Sequence, residues 1–276
     1  MKFFFDLERL IGKYFGRRKK TPEQKMKLFV ATNSATCKTD NIKLLEKTIK
    51  SAQLNTHFDI YLVFDGNKKE VEYLGVNVIE HRHRLYDTML ADGKGSDQGW
   101  LNTCSGAFLR TEVPYLCGKL GFKDKFVLYT DYDVLFQKGD YNDIYNIQPK
   151  TFSICSEFIK DDWNIGNTGV MIMNVDFFKN EDAALLKYMK ENFSTFDTFD
   201  QTAYNNYYKG RWEKLPLIYN WKTYWGINPE SKIIHFHGAK PRSIEPKWRY
   251  DLPMIKELRE IDSVSYEYYN KLWEEL

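Results

Sequence analysis

Apolar positions fall in short runs separated by stretches with a helical repeat. Lys27-Leu-Phe-Val-Ala-Thr32 reads as a buried strand. Residues 41–55 repeat Ile42, Leu45, Ile49 and Ala52, which predicts an amphipathic helix with Asp40 as its cap. Phe58-Asp-Ile-Tyr-Leu-Val-Phe64 predicts a second strand ending in Asp65-Gly66, and residues 76–80 a shorter third. A strand–helix–strand opening predicts a parallel sheet with right-handed crossovers. Ligands of such sheets gather at the carboxyl ends of the strands. Thr32, Asn33 and Asp65 fall there, as candidate nucleotide contacts or as turn residues.

Residues 100–116 predict a helix up to Pro114. The run Phe126-Val-Leu-Tyr-Thr-Asp-Tyr-Asp-Val-Leu-Phe136 predicts one strand buried on both faces, with Asp131 and Asp133 set into its far end. A strand is expected over Thr151–Cys155. A turn-rich loop, Asn164–Gly169, then feeds a strand over Val170–Met173. Helices are expected over residues 183–189 and from Phe199, with Asp200 and Gln201 near the start of the second. Leu215–Ile218 and Lys232–His237 read as late strands, and residues 266–276 as an aromatic amphipathic helix that packs on the core. The pattern is that of an α/β fold, a mostly parallel sheet flanked by helices. No repeat or shift in composition divides residues 21–276, which are expected to form one domain.

Composition narrows the function. The 276 residues carry 43% hydrophobic positions and a net charge of only +2, which argues against nucleic-acid binding. Cys37, Cys104, Cys117 and Cys155 lack zinc spacing, so reduced thiols and a cytoplasmic setting are expected. Without a visible signal peptide, the sequon at Asn192 reads as chance. Residues 1–20 stand apart. Phe3, Phe4, Leu7, Leu10, Ile11, Tyr14 and Phe15 share a helical face beside six Lys and Arg, which fits peripheral contact with an anionic membrane or packing on a protein. His81-Arg-His-Arg84 is a basic cluster, read as a solvated loop ahead of a contact for phosphate or an acidic acceptor. Residues 91–99 are a polar loop without the spacing of a P-loop.

The chemistry starts from Asp131 and Asp133. Strand alternation sets residues i and i+2 on one side. Two adjacent carboxylates repel, and burying them unpaired costs several kcal/mol. A divalent cation, Mn²⁺ or Mg²⁺, suits hard carboxylate oxygens. The alternative is a strand end whose acids are solvated. His235 and His237 share one face of the late strand, as ligands or as core histidines, and Lys240 follows. In outline the acids and a histidine hold a cation, the cation holds a diphosphate, and Lys240 adds a positive charge.

Five segments stand together: Tyr129-Thr-Asp-Tyr-Asp-Val-Leu-Phe136, Ala107-Phe-Leu-Arg-Thr-Glu-Val-Pro114, Asn167-Thr-Gly-Val-Met-Ile-Met-Asn174, Asp200-Gln201 with Asn205, and His235-Phe-His-Gly-Ala-Lys-Pro241. Running in family order between Ala107 and Pro241, they resemble the GT-A glycosyltransferases, within them the family 8 type typified by glycogenin and bacterial lipooligosaccharide galactosyltransferases, and the resemblance covers about residues 27–241. The resemblance implies a GT-A, Rossmann-like mixed sheet. It implies Asp131, Asp133 and His235 on Mn²⁺ or Mg²⁺, and Lys240 on the diphosphate of a UDP-sugar. It places Arg110, Asn167, Asp200 and Gln201 toward the donor sugar, and Thr32, Asn33, Asp65 and Tyr132 along the nucleotide. Asp200 and Gln201 are the candidate catalytic pair. The sequence departs from the family pattern in two places. Ala31-Thr-Asn33 lacks an acid, and the late motif is one residue shorter with Arg242 in place of Trp, so His237 stays a second candidate ligand.

The implied activity is transfer of a sugar to a glycan, lipid-linked or other hydroxyl acceptor, with retention favoured. An inverting enzyme would need a base, for which Glu157, Asp161 and Asp162 are candidates. Trp163, Trp221, Tyr224 and Trp225 would frame the acceptor or pack the core. A sugar nucleotidyltransferase lacks its Gly-rich, Lys-bearing first loop here, and a non-catalytic sugar-binding module would not need the metal set.

Overall fold

The structure, a computed structural model, describes residues 25–276. The basic amphipathic segment expected over residues 1–20 lies outside the described residues. Strand β1 (Lys27–Asn33) leads through helix α1 (Ser34–Cys37) and α2 (Asn41–Asn55) to β2 (Asp59–Asp65) and β3 (Asn77–Glu80). Helices α3 (Tyr86–Ala91), α4 (Gln98–Phe108) and α5 (Val113–Lys119) precede β4 (Phe126–Thr130) and β5 (Val134–Phe136). Then come β6 (Phe152–Ser156), β7 (Gly166–Asn174), α6 (Val175–Asn192), α7 (Phe199–Tyr207), β8 (Glu213–Lys214), β9 (Trp221–Lys222) and β10 (Ile233–His235). The chain ends in α8 (Lys247–Tyr250), α9 (Pro253–Ile261) and α10 (Ser263–Glu275).

Seven strands form one sheet in the order β3-β2-β1-β4-β7-β6-β8. The pairs from β3 to β4 are parallel, and β7 runs antiparallel to both β4 and β6. Alternate residues of β1 feed opposite cores. Phe29 and Ala31 face one and Leu28 and Val30 the other, the burial on both faces expected of a parallel strand. From β1 the chain moves outward to β2 and β3, then returns to β4 on the other side. The carboxyl ends of β1 and β4 therefore frame a topological switch point. A second sheet, β5-β10-β9, carries Leu135 and Ile234 against Tyr269 and Trp273 of α10. The C-terminal aromatic helix thus packs on the core as expected.

Several expected boundaries move. The run 126–136 is two strands in two sheets, with Asp131 and Asp133 in the turn between them. The helix expected to stop at Pro114 restarts there. Proline fits the first turn of α5, where its missing N–H has no partner to lose. Asp40 makes no side-chain cap on α2 and pairs with Lys43 at 2.7 Å instead. Residues 166–169, expected in a loop, are buried strand, and residues 217–219 are a 3₁₀ turn rather than a strand. Helix α2 holds the short β5 through side chains. Thr48 Oγ1 donates to the carbonyls of Tyr132 and Val134 (both 2.7 Å), and Asn55 Nδ2 donates to that of Phe136 at 2.8 Å.

Candidate functional site

The turn after β4 gathers chemistry from three directions. Asp131 N donates to the Gly169 carbonyl at 2.7 Å, and Phe236 N to the Asp133 carbonyl at 3.0 Å, so β7 and β10 fix the turn from both sides. Ligand atoms of Asp131, Asp133 and His235 lie within 4.8 Å of one another, a group able to hold a metal ion. The details fit a hard divalent cation. Asp133 Oδ1 is buried with no hydrogen-bond partner, and His235 Nε2 stands 3.3 Å away. Asn220 Nδ2 donates to Asn167 Oδ1 at 2.8 Å, so the Asn220 oxygen faces His235 Nδ1 at 2.9 Å and accepts its proton. That tautomer leaves the Nε2 lone pair toward the acids, the usual outer-sphere support for a metal-bound histidine. Burial lowers the His235 pKa and favours the neutral, ligating form. Residue 169 has to be small. A Cβ on Gly169 would stand 2.3 Å from His235 Cε1 and 3.0 Å from Asp131 Oδ2.

Lys240, one hundred and seven residues on, closes the group by donating from Nζ to Asp133 Oδ2. Burial alone would raise the Asp133 pKa. The Lys240 ammonium outweighs it and holds the carboxyl well below its usual range. Arg110 is buried on the other flank, with Nη2 2.9 Å from Asp131 Oδ1 and Nε 2.8 Å from Asp200 Oδ2. Burial disfavours its charge, but the two acids prevail and keep it protonated. Burial pushes Asp200 up to about 7 even though Arg110 opposes the rise. Gln201 Oε1 accepts from Asn167 Nδ2 and Thr168 N, both at 3.2 Å. Just before this pair, Phe199 has φ +53°, a left-handed conformation costly for an aromatic residue and typical of functional turns.

The chain finds no match among protein-family models, and no curated protein matches it. Solved structures do. The glycosyltransferase GlyE of Streptococcus pneumoniae TIGR4, in its apo form, superposes with a TM-score of 0.60 at 16% identity, over 91% of this chain and 64% of that one. This chain therefore spans less than two thirds of GlyE. The galactosyltransferase LgtC, in complex with donor and acceptor sugar analogs, gives 0.57 at 12% identity over 87% of this chain and 96% of that one. Mouse xyloside xylosyltransferase 1 gives 0.52 at 14% identity over 76% and 97%. The fold is GT-A.

Within this GT-A fold the other predicted residues divide. Asn33 and Asp65 line one cleft of 280 Å³ at the carboxyl ends of β1 and β2, together with Lys38, Arg82 and Tyr86. Thr32 is buried and shares a 2.5 Å hydrogen bond with Thr36, so its hydroxyl is already engaged. Tyr132 contributes its carbonyl to Thr48, while its ring packs against the core. His237 is not part of the metal group among the described residues. Its Nε2 meets Glu157 at 3.0 Å and its Nδ1 the Tyr224 hydroxyl at 2.7 Å, so both nitrogens are taken. Glu157 is buried, and His237 outweighs that burial to hold its carboxyl at about 2. Asp161 and Asp162 are exposed. Tyr224 and Trp225 are core residues with Trp221 packed against them, and Trp163 sits beside Trp212.

The basic cluster departs from the expected solvated loop. His83 is buried, and His81, His83 and Arg84 converge on the buried carboxylate of Glu112 at 2.9, 3.2 and 2.8 Å. Arg84 also pairs with Asp182 of α6, so the cluster ties α6 to the segment bearing Arg110. Sequence reading missed Tyr129, whose hydroxyl donates to Asp131 Oδ1 at 2.9 Å, and Asn220. Gly169 stood inside a quoted motif, and its lack of a side chain was the available signal. Asn220 carried no local signal.

Proposed function

We propose that the protein is a metal-dependent glycosyltransferase that moves a sugar from a UDP-linked donor to a hydroxyl acceptor. The observation that carries this reading is the Asp131–Asp133–His235 group, with its unpartnered Asp133 oxygen and tautomer-fixed histidine. Asp131, Asp133 and His235 would hold Mn²⁺ or Mg²⁺, which when bound spreads the charge that develops on a departing diphosphate. Lys240 supplies an ammonium beside Asp133, where it also donates to the Phe236 carbonyl at 2.9 Å. Arg110, fixed between Asp131 and Asp200, orients both acids, and Asn167, Asp200 and Gln201 form a hydrogen-bonded wall facing the donor sugar. Asn33 and Asp65 line the cleft assigned to the nucleotide.

Retention is favoured by the state of the nearby acids. Glu157 is tied to His237 and Asn167 with its basicity suppressed, which makes it a poor general base for an inverting attack. The acceptor is read as a glycan or a lipid-linked hydroxyl, with residues 3–20 reaching an anionic membrane surface from a cytoplasmic protein. Recovery of full-length but not truncated protein on floated liposomes is the expected result for that segment. The central claim is tested by calorimetry of UDP with and without Mn²⁺. Binding that strengthens at least about tenfold with metal in the wild type, and not in Asp133→Asn, is expected. Equal affinity in all four titrations would refute the reading.

A further inference from the structure

Lys240 belongs to neither a helix nor a strand, so no backbone ladder fixes the carbon from which its ammonium reaches Asp133. Its main-chain groups are instead held by side chains of the C-terminal segment. Lys240 N donates to Glu245 Oε2 at 2.5 Å, and the Tyr266 hydroxyl donates to the Lys240 carbonyl at 2.6 Å. Arg249 pairs with Glu245 Oε1 and donates from Nη2 to the Gly238 carbonyl at 2.7 Å. Two residues before the lysine, Gly238 has φ +73°, and a Cβ there would meet Leu258 Cδ1 of α9 at 2.3 Å. The turn can thus sit directly on that helix only as glycine.

We infer that Glu245, Arg249 and Tyr266 form a clamp that positions Lys240 for the diphosphate of the donor. The Glu245 side chain has no exposed surface, and a buried carboxylate is destabilising unless partners offset its charge. Its partners are Arg249, the Lys240 amide and, at 4.0 Å, Arg259 Nη1. A carboxylate needed only for packing could be an apolar residue of similar volume. This one bonds the single amide whose placement sets the reach of the lysine. Lysine carries its charge on a flexible four-carbon stem, so fixing the backbone lowers the entropy lost when the ammonium engages a ligand. Glu245, Arg249 and Tyr266 are positioning residues, acting through Lys240 without touching the ligand.

The inference rests on the reading of Lys240 as the diphosphate partner, and a double-mutant cycle separates the two. Affinity for UDP in the presence of Mn²⁺ is measured for wild type, Lys240→Ala, Tyr266→Phe and Lys240→Ala/Tyr266→Phe, and in parallel for Glu245→Ala and its double with Lys240→Ala. Each clamp variant is expected to weaken UDP by about threefold to tenfold when Lys240 is present and to cost nothing when it is absent. Glu245→Gln, which keeps the acceptor for the Lys240 amide, is expected to restore part of the loss. Tyr266→Phe removes one hydroxyl, so it keeps the test decisive if Glu245→Ala does not fold. Additive losses in both backgrounds would overturn the clamp while leaving the diphosphate reading intact. No loss in Lys240→Ala, from a wild type that binds UDP with Mn²⁺, would overturn the role of Lys240 and the clamp with it.

Discussion

Asp133 meets the Lys240 ammonium and still keeps one buried oxygen without a hydrogen bond. A buried acceptor left in that state costs about 1–3 kcal/mol, so it marks a place where a ligand belongs. Gly169 is the residue that makes the space. Gly169→Ala would drive a methyl group to 2.3 Å from His235 Cε1, within an otherwise buried strand that has no slack. The expected outcome is Mn²⁺ binding weakened at least about tenfold, measured by electron paramagnetic resonance titration, with the circular dichroism spectrum retained. Unchanged Mn²⁺ affinity would remove His235 and Asp131 from the metal group. The glycine was visible in the sequence as part of a motif, but the reason for it was not. Its neighbours come from residues 131 and 235, and no local pattern announces them.

At the level of elements, two connections carry the site. Helix α2 presents Thr48, Ser51 and Asn55 along one face to the backbone of residues 132–136. Thr48→Val keeps the shape and leaves two carbonyls and the Val134 amide short of a partner. A loss of about 2–4 kcal/mol in urea denaturation is expected. The helical period of residues 41–55 was legible, because apolar spacing is local. The pairing of its buried polar residues was not, because β5 is a separate short strand and the apolar run concealed the break. The second connection is the Glu112 cluster. Burial lowers the His83 pKa to about 4, below its value of about 6.5 in an unfolded chain. Between those pH values the unfolded chain binds the extra proton, so stability falls as pH drops from about 6.5 toward 4. Glu112, held at about 2, loses its contribution in the window below its unfolded value of about 4.3. Wild type is therefore expected to lose about 1–2 kcal/mol more than His83→Gln between pH 7 and pH 5. Parallel losses in the two proteins would show that His83 is charged in the fold.

For the molecule as a whole, metal and nucleotide should act as one ligand. A ligand at one hundred times its Kd adds about 2.7 kcal/mol to stability, or about 5–10 °C in Tm for a chain of this size. UDP with Mn²⁺ is expected to produce that rise in a thermal scan, and EDTA to abolish it. A rise with UDP that survives EDTA would place the nucleotide away from the acids. The amino-acid sequence by itself determined most of the succession of strands and helices and the mostly parallel character of the sheet. It also supplied the residue types of the Asp131–Asp133–His235 group, since hydrophobic period and the chemistry of carboxylate, imidazole and ammonium are local properties. Tertiary structure alone decided that the acidic stretch turns between two sheets, that His237 is spent on Glu157 while His235 faces the acids, and that the basic cluster is buried against Glu112. The physical reason is common to all three. A buried charge or donor must find a partner, and which partner it finds depends on how distant segments close on one another rather than on its neighbours in the chain.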